Sequence, residues 1–204
     1  MAAKTKGLTT PKPSFAADPL PKVKVSAKSL IRVSTHNTGE PHFGTKGAKR
    51  FDDPNPDVAA RYGTCYFGLM LETAIAETLL HDLTPKRGHF QIHPDIIESR
   101  YVVHYKGSSL TLANLTGADL KRLGAHGELS GTSIYKKPQK WSKAIYDHPD
   151  QVDGFIYMSR HLNTEKAVVL FDRASAKIKM DKAIRLTSHP GFAAAANTLG
   201  ILSA

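Results

Sequence analysis

Six side chains stand where polar chemistry is costly to place unless it is used. Glu77 and its neighbour Glu72 interrupt the apolar run Leu71 to Leu80, and Tyr66 lies just ahead of that run. Arg32 sits among apolar residues in SLIRVS, Arg50 follows a glycine-rich stretch, and Ser159 closes the apolar GFIYM. A buried carboxylate is expensive unless it is paired or hydrogen-bonded, so one of the two glutamates is expected to border a cleft that Tyr66 could wall. At 100° per residue, Leu71, Ala74, Ile75 and Leu79 share one side of a helix while Ala76 and Leu80 fall on the other, as in a helix buried between layers. Glu72 lies in the first turn, where a carboxylate favours the positive end of the helix dipole. Glu77 lies at the margin of the apolar face, where a solvated glutamate would also be ordinary. Arginine forks suit phosphate oxygens, and a tyrosine ring offers a flat face. Ser159 has no base beside it in the sequence, which favours a hydrogen-bonding role over a nucleophilic one. Each group also has a plain structural reading. A strand arginine pairs with an acid, a serine after a strand forms a turn or cap, and Tyr157 belongs to the core.

The elements that must hold these groups follow from pattern. Ser29–Ser34 reads as a first strand, Thr64–Phe67 as a second before a glycine turn into the buried helix. Between them His36–Arg61, rich in glycine and proline and without a period, is a long loop, and such loops are usually functional or disordered. Arg100–Tyr105 and Leu110–Asn114 read as strands, then a short helix starts at Thr116 with a threonine cap and a glycine stop. Pro138–Tyr146 is expected to be a helix containing Trp141. Gly154–Tyr157 and Ala167–Phe171 are short runs of buried-strand type, and Phe192–Leu202 reads as a helix rich in alanine. Strands outnumber helices, helices intervene irregularly and no repeat is visible, so the expected class is α+β (mixed α/β), a central sheet with flanking helices.

The 204 residues suffice for one domain with appendages. The formal net charge is +10, and half of the excess lies in residues 1–30, where six lysines face Asp18 alone among four prolines. Residues 1–28 are therefore read as a basic, disordered tail, and 29–204 as a single catalytic domain. The body is moderately basic, as suits a phosphate-bearing ligand, an acidic partner or nucleic acid. One cysteine, Cys65, excludes an intramolecular disulfide and suits a reducing compartment. No run approaches the roughly 18 apolar residues of a membrane span, and no secretory signal is seen. The expected location is cytoplasmic, with export by a machine needing no signal peptide as the other route.

In their order, Ile-Arg-Val at Arg32, Lys-Arg-Phe at Arg50, Tyr-Phe-Gly at Tyr66, Glu-Thr-Ala-Ile-Ala-Glu ending at Glu77, and Asp-Gly-Phe-Ile-Tyr-Met-Ser-Arg through Ser159 resemble the RES family. The resemblance runs from about Leu30 to Phe171. It implies a fold similar to the core of the ADP-ribosyltransferase toxins and an enzyme that consumes NAD. It also implies a toxin of a toxin–antitoxin pair, held inactive by an antitoxin with an Xre-like helix-turn-helix region. Phosphorolysis of NAD and ADP-ribosylation of protein are both known in the family. On this analogy the named residues are Ser159, Arg32 and Glu77, with Arg50 and Tyr66 binding NAD. Residues 1–28 lie outside the resemblance, and Lys49 stands where a glycine is expected before the arginine.

The chemistry suits those groups. Breaking the nicotinamide–ribose bond passes through an oxocarbenium-like centre, which a fixed Glu77 carboxylate could stabilise. Arg32 and Arg50 could hold the pyrophosphate, Tyr66 the nicotinamide or ribose, and Ser159 could hydrogen-bond either. There is no Rossmann glycine fingerprint, P-loop or nucleophile elbow, so NAD is expected as a substrate and no cofactor is called for. Among the ten histidines no His-Glu-x-x-His pattern occurs, and Pro94 spoils a shared face for His89 and His93, so no metal site is expected. The leading reading is an NAD-degrading toxin with phosphate or water as acceptor. A mono-ADP-ribosyltransferase acting on protein is the first alternative. A basic nucleic-acid-binding module is the second, although basic and aromatic residues do not interleave as it would require, leaving nucleic acid to be reached only through a partner.

Overall fold

The computed structural model describes residues 7–203. In chain order the strands are β1 (Lys22–Ser26), β2 (Ile31–Ser34), β3 (Thr64–Gly68), β4 (Phe90–Ile92), β5 (Tyr101–Gly107), β6 (Ser109–Leu115), β7 (Gly154–Met158), β8 (Lys166–Phe171), β9 (Ile178–Arg185) and β10 (Ile201–Ser203). The helices are α1 (Leu71–Thr78), α2 (Pro94–Glu98), α3 (Gly117–Arg122), α4 (Glu128–Gly131), α5 (Lys136–Tyr146) and α6 (Phe192–Leu199). This is the α+β arrangement expected. Eight strands form one sheet in the order β1-β6-β7-β8-β3-β2-β5-β9, and β4 pairs with β10 apart from it. No helix among the described residues is long and apolar enough to cross a membrane.

Period-two alternation explains why the middle strands are apolar on both faces. Phe155 and Tyr157 of β7, with Val169 and Phe171 of β8, enter one cluster alongside Phe51, Trp141 and Ile145. Ile156, Val168 and Leu170, the alternate residues, enter a second cluster with Cys65, Phe67, Val103 and Leu112. The single residue Ser108 joins β5 to β6, yet four strands separate them in the sheet. Laid flat, those five inter-strand steps would span about 24 Å, whereas two Cα steps cover only about 7 Å. The sheet therefore curls around the second cluster until its ends approach. Gly107 makes the junction possible. Its φ is +144° and a Cβ there would lie 2.0 Å from the Lys177 carbonyl oxygen.

The buried helix sits where the pattern puts it. Leu71, Ala74, Ile75, Ala76, Leu79 and Leu80 all enter a third cluster with Val33, Val102 and Leu186. Its entry from β3 is tight. A Cβ on Gly68 would lie 2.7 Å from both the Ala74 nitrogen and the Met70 oxygen.

The reading of the segment before residue 29 as a disordered tail is corrected. Residues 1–6 of the expected tail lie outside the described residues, but from residue 7 onward the segment is built into the fold. β1 pairs antiparallel with β6 from Lys22–Ala113 to Ser26–Ser109. Leu8, Phe15 and Leu20 are buried. Phe15 meets Trp141 edge to face at 5.4 Å, and the Trp141 indole N–H donates to the Thr9 carbonyl at 2.8 Å. Composition misleads here because three well-placed apolar residues, with the partners waiting on α5, replace a local core. The lysines of KVKVS then act as edge-strand charges outside half-buried valines. Three smaller departures have the same character. Ser29 belongs to a 3-10 turn ahead of β2, and the expected last helix stops at Gly200, a left-handed cap, before β10. β9 has no counterpart in the sequence pattern, because its lysines break the apolar alternation and only Ile178 is buried.

Candidate active site

β2 and β3 pair only at Ile31–Gly68 and then part, and the gap between them opens a cleft. Arg32 fills the parting. Its Nη1 donates to the Tyr66 carbonyl at 3.0 Å and its Nε to Glu40 at 3.2 Å. Glu40 comes from the long loop and also accepts from the Ser34 hydroxyl (2.7 Å) and the His42 N–H (3.1 Å). Burial works against the ionised form of Glu40, but Arg32 and these donors prevail and hold its carboxyl below the usual range. A strand arginine paired with an acid is thus found here, and the same guanidinium lines the cleft.

The cleft is a cavity of about 400 Å³. Arg32, Lys49, Arg50, Tyr66, Glu77 and Tyr157 all line it. Sequence-distant positions are brought together by the sheet curling under α1 and by the 36–61 loop folding over β3. Arg50 is only 9% exposed. It donates to the Thr132 carbonyl and lies 4.7 Å from the centre of the Tyr135 ring, with burial drawing its pKa down. Lys49 lies 5.1 Å from the centre of the Tyr66 ring and is likewise lowered by burial. The Tyr66 hydroxyl donates to Asp52 at 3.0 Å and accepts the Phe51 N–H at 3.0 Å, so the ring is anchored at its tip. Burial and the Asp52 charge hold this phenol well above its ordinary range. Asp52 also takes the Thr64 hydroxyl at 2.6 Å and the Lys49 N–H at 3.0 Å, clamping the loop to β3. Tyr157 is a core residue, as expected, packed on Phe51 at 4.9 Å, and it also reaches the cavity.

Glu77, in the last turn of α1, is half-buried at the cavity, whereas Glu72 lies in the first turn and does not line it. The Ser159 hydroxyl donates to Glu77 Oε1 at 2.6 Å. Its oxygen accepts the backbone N–H groups of His161 (3.2 Å) and Leu162 (3.1 Å). Ser159 is 2% exposed and is not among the cavity-lining residues. Its hydroxyl is thus engaged by Glu77 and by two backbone N–H groups. The carboxylate it meets lies 82 residues away in the sequence.

The sequence passes over Glu40, Asp52, Lys49, Tyr135, His81 and His161. Glu40 and Asp52 sit in a loop with no period, and their partners are backbone groups and side chains that only the fold supplies. The adjacent acids Asp52 and Asp53 between Phe51 and Pro54, both buried, are a faint signal, since acids beside an aromatic in a loop need donors.

A family model described as the RES domain matches residues 29–189. A Sinorhizobium fredii protein described as probable toxin y4kH is 34% identical over 71 residues, covering 35% of this chain and 55% of that protein. The match thus spans about half the length of that relative. Among solved structures, a chain of the M. tuberculosis MbcT–MbcA toxin–antitoxin complex is similar with a TM-score of 0.60 at 9% identity, over 83% of this chain and 88% of that one. That likeness is one of fold.

Proposed function

The chain belongs to the RES domain family, and from that premise and the cleft we propose that it is a toxin that degrades NAD, cleaving the nicotinamide–ribose bond with phosphate or water as acceptor. The observation that carries this reading is the Glu77 carboxylate, set by Ser159 at 2.6 Å and facing Arg32, Arg50 and Tyr66 across one cavity. In NAD the leaving group is a pyridinium. It departs as neutral nicotinamide with the C–N electron pair and needs no proton from an acid. One fixed carboxylate beside the cationic ribose centre is then enough, where ordinary glycoside hydrolysis uses two. Glu77 stabilises that centre, and the acceptor oxygen closes a new bond to the same carbon. Arg32 and Arg50, together with Lys49, hold the pyrophosphate, and the Tyr66 ring walls the nicotinamide ribose.

A phosphate acceptor is favoured over water by the adjoining cavity of about 530 Å³. It shares Arg32, Val33 and Thr78 with the first and is lined further by Arg100, His36 and His42. The Glu40 carboxylate lines it too, paired with Arg32 at 3.2 Å, which leaves Arg100 as the cation there for a second anion.

The names of the relatives support a toxin role and an antitoxin partner, which we read as an Xre-like protein that neutralises the chain by covering the cleft. The test is to incubate the pure full chain, at stoichiometric concentration, with NAD and with or without phosphate, and to identify the products. Release of nicotinamide, accelerated by phosphate and accompanied by a phosphorylated ADP-ribose, is expected. Intact NAD with phosphate, water and candidate acceptor proteins all supplied would sink the reading.

A further inference from the structure

At the rim of the cleft, beside Glu77, stand two histidines that NAD cleavage does not require. His81 follows α1 by three residues and His161 belongs to the loop between β7 and β8. His81 Nδ1 and His161 Nε2 are 3.1 Å apart. One donor atom from each of Glu77, His81 and His161 lies within 4.8 Å of the other two. Two imidazole nitrogens bound to one tetrahedral zinc ion at its usual bond length would be about 3.3 Å apart. The observed separation matches that closely. Glu77 and His161 are half-buried while His81 is exposed, so one coordination position would face solvent, as in three-ligand zinc sites.

One outer contact is that of a metal centre as well. The Ser159 hydroxyl fixes Glu77 through Oε1. On the far side of the His81 ring, Nε2 faces the exposed Asp82 carboxylate at 3.7 Å, beyond hydrogen-bond distance. A donor set of two imidazoles and one carboxylate suits Zn²⁺ and its transition-metal neighbours rather than Mg²⁺ or Ca²⁺. We propose that Glu77, His81 and His161 form a binding site for Zn²⁺, and that the bound ion takes Glu77 away from the cleft and so inhibits the enzyme. The binding stands on this geometry alone, and the inhibition rests on the function proposed above.

The test uses the untagged full chain, stripped with chelator and titrated with Zn²⁺ against a chromophoric chelator. One equivalent should bind. His81→Asn and His161→Asn should each lose more than about 100-fold in affinity, since even outer partners cost about 10–100-fold. His81 is exposed, so its replacement leaves the core untouched. Absence of one-to-one binding, or equal affinity in the His81→Asn/His161→Asn double variant, would overturn the site. In parallel, NAD loss by the unaltered chain should stop with one equivalent of Zn²⁺ and resume with chelator. Zinc bound without inhibition would overturn the regulatory half. A chain that binds zinc as described but never consumes NAD upholds the site and sinks the enzymatic reading. A chain that consumes NAD but binds no zinc does the reverse.

Discussion

Replacing Ser159 with alanine separates a positioning serine from a reacting one. The substitution removes three hydrogen bonds together, the 2.6 Å donation to Glu77 and the two accepted from the His161 and Leu162 N–H groups. A hydrogen bond to a charged group contributes about 1.5–3 kcal/mol and a neutral one about 0.5–1.5, so the upper limit is about 6 kcal/mol. Water entering the vacated space re-satisfies part of this, which leaves an expected cost of about 2–4 kcal/mol. For a chain of this size that is a fall of about 4–16 °C in Tm. Glu77 loses its fixed orientation but remains in the cleft, so kcat should fall about 100-fold with little change in KM. Thermal unfolding followed by circular dichroism gives the first number, and NAD turnover well below the new Tm gives the second. A loss of about 10⁴-fold or more with unchanged Tm would mean that the hydroxyl itself reacts. Full activity would mean that the Ser159–Glu77 contact is idle.

Glu77→Gln should cost about 10²-fold or more in kcat by removing a contact made to charge in the transition state, and Glu72→Gln, away from the cavity, should cost little; equal losses in the two folded variants would refute the assignment. Arg50→Ala should weaken NAD binding by about 1.5–3 kcal/mol, and Arg50→Lys should recover only part of it because an ammonium lacks the fork; unchanged saturation by NAD in Arg50→Ala would take Arg50 out of the site. The Glu40 carboxyl lies below its ordinary value in the folded chain, so its contribution to stability is present above about pH 4.3 and is lost as pH falls through the folded value. Urea unfolding of Glu40→Gln should therefore show a flatter acid limb than the unaltered chain, and coincident limbs would contradict the linkage. Phe15→Ala should destabilise by about 3–5 kcal/mol in denaturant titrations while sparing turnover at low temperature; a change within error would return the N-terminal segment to the status of a tail.

Much of the scaffold is legible in the sequence because its central parts are periodic. The alternation of β7 and β8 and the all-round apolarity of α1 are local properties of contiguous residues, and so is their order along the chain. Arg32, Arg50, Tyr66 and Glu77 stand out for the same reason, as polar groups set against apolar or glycine-rich neighbours, and they do meet at one cavity. What escapes depends on partners far away in sequence. Phe15 means little until Trp141 is beside it, and a Pro/Lys-rich composition conceals it. His81 and His161 are 80 positions apart, so a search for metal ligands along one helix passes over them. Ser159 is marked by its place after a strand, but its task depends on where the end of α1 lies, which is a matter of packing. Asp52 and Glu40 act through backbone donors, which leave no trace in residue type.

The lone Ile31–Gly68 pairing between β2 and β3 bears on how the protein should be handled at the bench. Where the ladder lapses, the Arg32 guanidinium caps the Tyr66 carbonyl that a neighbouring strand would otherwise have met. The side chain is at once a wall of the ligand cavity and a stitch in the sheet. Changing it to disarm the proposed toxin for overproduction would also loosen the seam, and lost activity there would not distinguish a missing ligand contact from a sprung fold. Glu77, whose removal breaks no backbone ladder, is the sounder place to make an inert yet intact form for co-purification with the proposed antitoxin.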